Sequence, residues 1–187
     1  MKRWIKASNE VSKMNKKDLL ANLHKLDDKL RENEMYGEVD LYGGAVMCLG
    51  LNARESTHDI DAVFKPKSDI RNLIEEVAYE NNLPTDWMND GVKGFVSDNG
   101  EFERFGEDEF TNLSIFMTTP EYLLAMKCLS CRMPSENSTE VKDIKFLVNL
   151  LELESVDEIE DLILEFYPRK MFKPKTHYML LELFEDF

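Results

Sequence analysis

Leu19, Leu20, Leu23, Leu26 and Leu30 fall on one stripe of the segment Ser12 to Asn33, a recurrence that predicts an amphipathic helix with one buried face. The pattern then changes period. Val39 to Tyr42 is a short β-like run ending at Gly43-Gly44, Ala45 to Leu51 has the apolar character of a helix, and Ile60 to Phe64 reads as a strand. Ser68 to Asn82 carries Ile70, Leu73, Ile74, Val77 and Ala78 at helical spacing until Leu83-Pro84 stops it. Phe102 to Phe105 and Leu113 to Met117 read as strands around an acidic turn. From Pro120 the period is helical again, giving Tyr122 to Arg132, Val141 to Leu153, Val156 to Tyr167 and Lys175 to Phe187 as four helices. Met133 to Thr139, rich in Pro, Ser and Asn, is the expected mobile connection.

This order predicts an α+β fold, a small mixed sheet with flanking helices and a helical C-terminal part. The expected organisation is a single domain over residues 1–187, with a sheet-bearing core at about 34–119 and a helical part at about 120–187. No internal repeat is visible, which excludes solenoid architectures. A 43% hydrophobic content with 11 Phe, 6 Tyr and 2 Trp is enough apolar material for one core to offset the entropy of ordering the chain.

Charge narrows the partners. Against 37 acidic residues stand 23 basic ones, and the net charge of -14 repels polyanions, which disfavours general nucleic-acid binding. A nucleotide is not excluded, because a few local cations, backbone N–H groups and Mg²⁺ override the global field over a short distance. No export signal and no apolar run long enough to span a bilayer is visible, so no membrane partner is expected. The three cysteines, Cys48, Cys128 and Cys131, fit a reduced, cytoplasmic setting. Cys128-Leu-Ser-Cys131 has redox or zinc spacing, yet it lies in an apolar helical pattern with no second ligand pair and no nearby His, so packing thiols are expected.

The segment that carries chemistry runs from Leu41 to Phe64. Asp59 and Asp61 are one residue apart in an extended run, where side chains alternate, so both carboxylates point to one face and can grip a common ion. Hard cations such as Mg²⁺ prefer such oxygens. A Gly43-Gly44 turn at a strand end lets backbone amides approach phosphates with no Cβ in the way. These pieces belong to phosphoryl or nucleotidyl transfer. His58, between the acids, points to the other face and reads as solvent-facing or structural, and Trp87 reads as a core seal rather than a stacking platform.

A Gly-Gly turn, a short helix and Asp-x-Asp on the next strand resemble the polymerase-beta-type nucleotidyltransferase superfamily. Arg54-x-x-Thr57-x-Asp59-Ile-Asp61 is similar to the version found in small bacterial nucleotidyltransferase-like proteins, including the toxin of type IV abortive-infection toxin–antitoxin systems. Leu83 to Asp90 and Pro120 to Lys127 resemble further segments of that bacterial subgroup, so the likeness spans about Leu41 to Leu151.

The resemblance implies that Gly43 and Gly44 contact a triphosphate and that Asp59 and Asp61 are catalytic and bind metal. It further implies that Arg54 and Thr57 support phosphate at the site's edge, and that Lys127 reaches the phosphates from its helix. The implied activity is Mg²⁺-dependent transfer of a nucleoside monophosphate, with a two-ion site, from an NTP to a protein, RNA or small-molecule acceptor. The other implied role is a catalytically degenerate, partner-binding module of a toxin–antitoxin or defence pair. Two positions depart from the family pattern. Asn112-Leu-Ser114 has Ser114 where a third carboxylate is expected, with Glu103 the nearest strand-borne substitute. Val141-Lys-Asp143-Ile-Lys145-Phe146 has Phe146 where a second acid is expected.

Overall fold

The computed structural model describes residues 13–131 and 138–185. Of the predicted elements, Ser12, Arg132, most of the connection Met133 to Thr139, and the last two residues expected in the terminal helix lie outside the described residues.

The first helix, α1 (Lys16–Glu32), begins at a capping box in which Asn15 and Asp18 each accept the other's backbone N–H. Of its leucine stripe, Leu19, Leu23, Leu26 and Leu30 are fully buried and Leu20 is half-buried. Strand β2 (Gly37–Tyr42) runs into helix α2 (Gly43–Leu49), and β4 (Ile60–Lys65) leads to α3 (Lys67–Asn81). Strands β6 (Phe102–Phe105) and β7 (Leu113–Thr118) precede four helices, α4 (Pro120–Ser130), α5 (Thr139–Leu150), α6 (Val156–Phe166) and α7 (Pro174–Glu185). Thr119, Ser138 and Ser155 cap α4, α5 and α6 through their hydroxyls. Three two-residue strands carry no periodicity and were not foreseen: β1 (Met14–Asn15), β3 (Ser56–Thr57) and β5 (Met88–Asn89).

The α+β expectation holds in its coarse form. Five strands make a mixed sheet in the order β5-β4-β2-β7-β6, with β2 at its centre, antiparallel to β4 and parallel to β7. A separate two-stranded ladder pairs β1 with β3. Gly37, Val39 and Leu41 are buried on one sheet face, where a side chain at Gly37 would collide with Leu30 of α1 and Ile70 of α3. On the other face Tyr42 packs edge-on against Phe102 and Tyr122 of α4. Trp87 is fully buried and donates its indole N–H to the Ile74 carbonyl at 3.1 Å, and Cys48, Cys128 and Cys131 are buried and free. No helix among the described residues is long and apolar enough to cross a membrane.

α1 is tied to the sheet by one buried acid. Asp27 accepts backbone N–H bonds from Asn112 and Leu113, each at 2.7 Å, and from Thr111 at 3.1 Å, and so holds the start of β7. Asp27→Asn would turn an amide N–H toward one of these donors and leave it unpaired. The expected cost is about 2 kcal/mol, read as a lower urea midpoint with an unchanged slope.

Candidate functional site

The register of β2 against β4 places Tyr42 opposite Asp61, so the chain leaves the sheet at Gly43 directly beside that carboxylate. Gly43 turns with φ +60, the left-handed region that costs glycine least, and a Cβ there would lie 2.8 Å from Asp61 Oδ2. At Gly44 a Cβ would meet Thr57 Oγ1 at 2.3 Å and Arg54 Nη1 at 3.0 Å. Both glycines are therefore demanded by polar side chains that occupy the space over the first turn of α2. That helix starts at Gly43 rather than at Ala45, because the positive φ lets the chain bend straight from strand into helix. Thr57 is buried and fixed by pairing of β3 with β1. Asp59 precedes β4 and accepts from Asn89 Nδ2 at 3.0 Å.

Across from the glycines lies α4, whose Leu123, Met126, Lys127 and Ser130 recur at i, i+3, i+4 and i+7 and form one face. Between α4 and the strand ends is a cavity of about 410 Å³. Gly43, Gly44, Arg54, Thr57, Asp59, Asp61 and Lys127 all line it. His58, exposed, lines it too, as do the apolar side chains of Val92 and Phe95.

The charges in the cavity are interlocked. Burial raises the pKa of Asp61, the neighbouring Asp59 charge raises it further, and Lys127 pulls it back down. Arg54 and Lys127 are not free cations. Arg54 donates to both oxygens of Asp143, with Nε to Oδ1 at 2.7 Å, while Lys127 Nζ donates to Asp143 Oδ2 at 2.5 Å. Asp143 comes from α5 and its side chain is 3% exposed. Four carboxylates (Asp59, Asp61 and Glu140 in the lining, and Asp143 behind the cations) against two cations (Arg54, Lys127) leave two net negative charges, which a divalent cation would balance.

Sequence reasoning did not assign Asp143 to the site, although the resemblance quotes it as the first acid of Val141-Lys-Asp143-Ile-Lys145-Phe146. Nothing else local marks it, since it flanks the apolar stripe Val141, Ile144, Leu147 and Val148 and its cationic partners lie 89 and 16 residues away. The candidates for a third carboxylate need correction. Ser114 pairs with Glu38, four residues along β2 from Tyr42, and Glu103 is exposed on the edge strand β6 opposite Met117, so neither reaches the cavity. The residue registered against Asp61 on the neighbouring strand is Asn89. Phe146 packs on the core. Among the described residues no three His, Cys, Asp or Glu side chains gather into a metal-holding group.

Two aspartates nonetheless fit a hard divalent ion. Their oxygens are the donors Mg²⁺ prefers, an ion would relieve the repulsion that raises Asp61, and the open cavity leaves coordination positions for phosphate and water oxygens. Compared with protein-family models, with curated proteins and with solved structures, the chain has no match.

Proposed function

We propose that this chain has a nucleotidyltransferase-like fold and moves a nucleoside monophosphate from an NTP to a hydroxyl of a protein, RNA or small-molecule acceptor in the cytoplasm. One observation carries the reading: Asp59 and Asp61 share a cavity with the two glycines whose missing Cβ atoms leave room for Asp61, Thr57 and Arg54. Asp59 and Asp61 would hold Mg²⁺. When bound, the ion lowers the pKa of an attacking hydroxyl and offsets charge on the pyrophosphate leaving group. The open amides after Tyr42 offer donors to phosphate oxygens, and Lys127 and Arg54 supply positive charge on the opposite wall. Asp143 fixes the direction of both cations, so their heads are oriented before a ligand arrives.

Calorimetric titration with each NTP in the presence and absence of Mg²⁺ tests the reading, followed by incubation of labelled NTP with cell extract. Metal-dependent binding is expected, with Lys127→Ala weakening it by about 1–3 kcal/mol, the scale of one charge-assisted hydrogen bond. A second reading has its own support, because Asn89 stands against Asp61 and Asp143 already neutralises half of the cationic wall. In it the chain is a degenerate, non-catalytic module that binds a partner protein of a toxin–antitoxin or defence pair. No NTP binding under any metal condition would favour that module and reject the transferase.

A further inference from the structure

Part of the cavity's apolar lining comes from a short segment with little regular structure of its own. Gly91–Phe95 forms a short 3₁₀ helix whose Val92 and Phe95 line the cavity together with Leu123 and Met126 of α4. Phe95 is 38% exposed there, while most large apolar side chains of the chain are buried. What holds the segment is a set of bonds from the C-terminal helices. Tyr167 donates its hydroxyl to the Phe95 carbonyl at 2.5 Å, and the Tyr122 hydroxyl accepts the Ser97 backbone N–H at 2.7 Å. Ser97 Oγ donates to the Phe166 carbonyl, and Asn99 Nδ2 to the Glu165 carbonyl at 3.3 Å. The rings of Tyr122 and Tyr167 lie 6.2 Å apart, so two adjacent phenols grip the backbone on either side of Val96. At its other end the turn is anchored by Asp90, which takes ion pairs from Arg71 at 2.8 Å and from Lys93.

We propose that Val92 and Phe95 form the wall that receives the planar base of the nucleotide, and that Tyr167 is the positioning residue that sets this wall. The inference rests on the nucleotide reading of the same cavity. Asp59, Asp61 and the glycines suit phosphates, and Val92 and Phe95, with Leu123 and Met126, are apolar side chains lining the same cavity that a base could meet. An exposed phenylalanine beside apolar side chains is a stacking surface for any nucleobase. Tyr167 stays protonated as a donor because burial raises its pKa. Without that hydroxyl the Phe95 carbonyl loses its partner, and the ring is no longer fixed at the cavity mouth.

Calorimetry with two probes, an NTP and inorganic tripolyphosphate, both with Mg²⁺, separates the phosphate site from the apolar lining. The wild-type chain is expected to bind at least one NTP more tightly than tripolyphosphate. Tyr167→Phe and Phe95→Ala should each weaken NTP binding about tenfold while leaving tripolyphosphate binding and the melting transition of Phe95→Ala unchanged. Phe95→Trp, which keeps a stacking face, should retain NTP affinity. Equal loss of both probes in Tyr167→Phe would make the tyrosine a structural residue only and overturn the proposal, as would no loss of either. Equal wild-type affinity for the two probes would remove the base wall but leave the metal and phosphate site standing. Binding of neither probe to the wild type would reject the nucleotide reading itself.

Discussion

Replacing Asp143 by alanine is expected to destabilise the chain by about 3–5 kcal/mol, because it removes the shared acceptor of a buried ion cluster. The side chains of Arg54 and Lys127 are only 17% and 12% exposed, so neither can turn fully into water once the carboxylate is gone. Two largely desolvated cations would then share the cavity without the carboxylate that accepts from both. Asp143→Asn keeps the shape and an acceptor oxygen, and should fall between wild type and alanine. Urea unfolding of the three chains gives the order directly. A cost under about 1 kcal/mol for alanine, the range of exposed ion pairs, would show that the cluster is solvated.

Asp61→Asn is expected to have the opposite sign on stability and the larger effect on chemistry. The pKa of Asp61 is raised in the fold by burial and by Asp59, so the folded state holds its proton more tightly than the unfolded chain does. Linkage then makes wild-type stability fall as pH climbs from the ordinary carboxylate value through the raised one. The asparagine variant has no such proton to lose. It should melt at the same temperature or slightly higher near neutral pH, and its stability should vary less over that acidic window. Mg²⁺ should raise the melting temperature of the wild type by mass action and leave the variant unmoved, and labelled-nucleotide transfer should be abolished. A variant that melts far below wild type at neutral pH would make Asp61 a structural residue.

Much of the fold was readable because helices in this chain announce themselves. The leucine stripe of α1 and the Ile70-to-Ala78 stripe of α3 are long enough for a 3.6-residue period to be counted, and both are buried as that period requires. Helix ends moved by a residue or more where hydroxyl caps decide them, as Ser138 does when it starts α5 at Thr139 rather than at Val141. The pairs β1–β3 and β4–β5 could not be read, since a two-residue strand has no period and is defined only by its distant partner.

The site divides in the same way. Gly43, Gly44, Arg54, Thr57, Asp59 and Asp61 lie within nineteen residues of sequence; spacing and turn chemistry picked out the two acids and the glycines, while Arg54 and Thr57 came from the resemblance. Asp59 lies just outside β4 rather than in it, yet reaches the same cavity, because the residue before a strand is already extended enough to continue its alternation. Asp143 and Asn89 went unassigned because their roles come from register and helix docking. Ser114, the non-acidic residue at the family's third-acid position, and Glu103, its nearest substitute, both lie away from the cavity, and nothing local says that β5, not β6 or β7, is the neighbour of β4.

The bond between Arg54 and Asp143 spans 89 residues, and this separation sets an order of events as the chain is made. When Lys127 leaves the ribosome, sixteen more residues must follow before its acceptor exists, about one to three seconds at ~5–20 residues per second. Until then the strand-end acids, the glycines and both cations are present, but the cations have no reason to leave water. The part of the cavity that carries Arg54 and Lys127 is thus expected to take its final form only when α5 has been synthesised, so a nascent or prematurely ended chain would carry both cations and still lack the carboxylate that aims them.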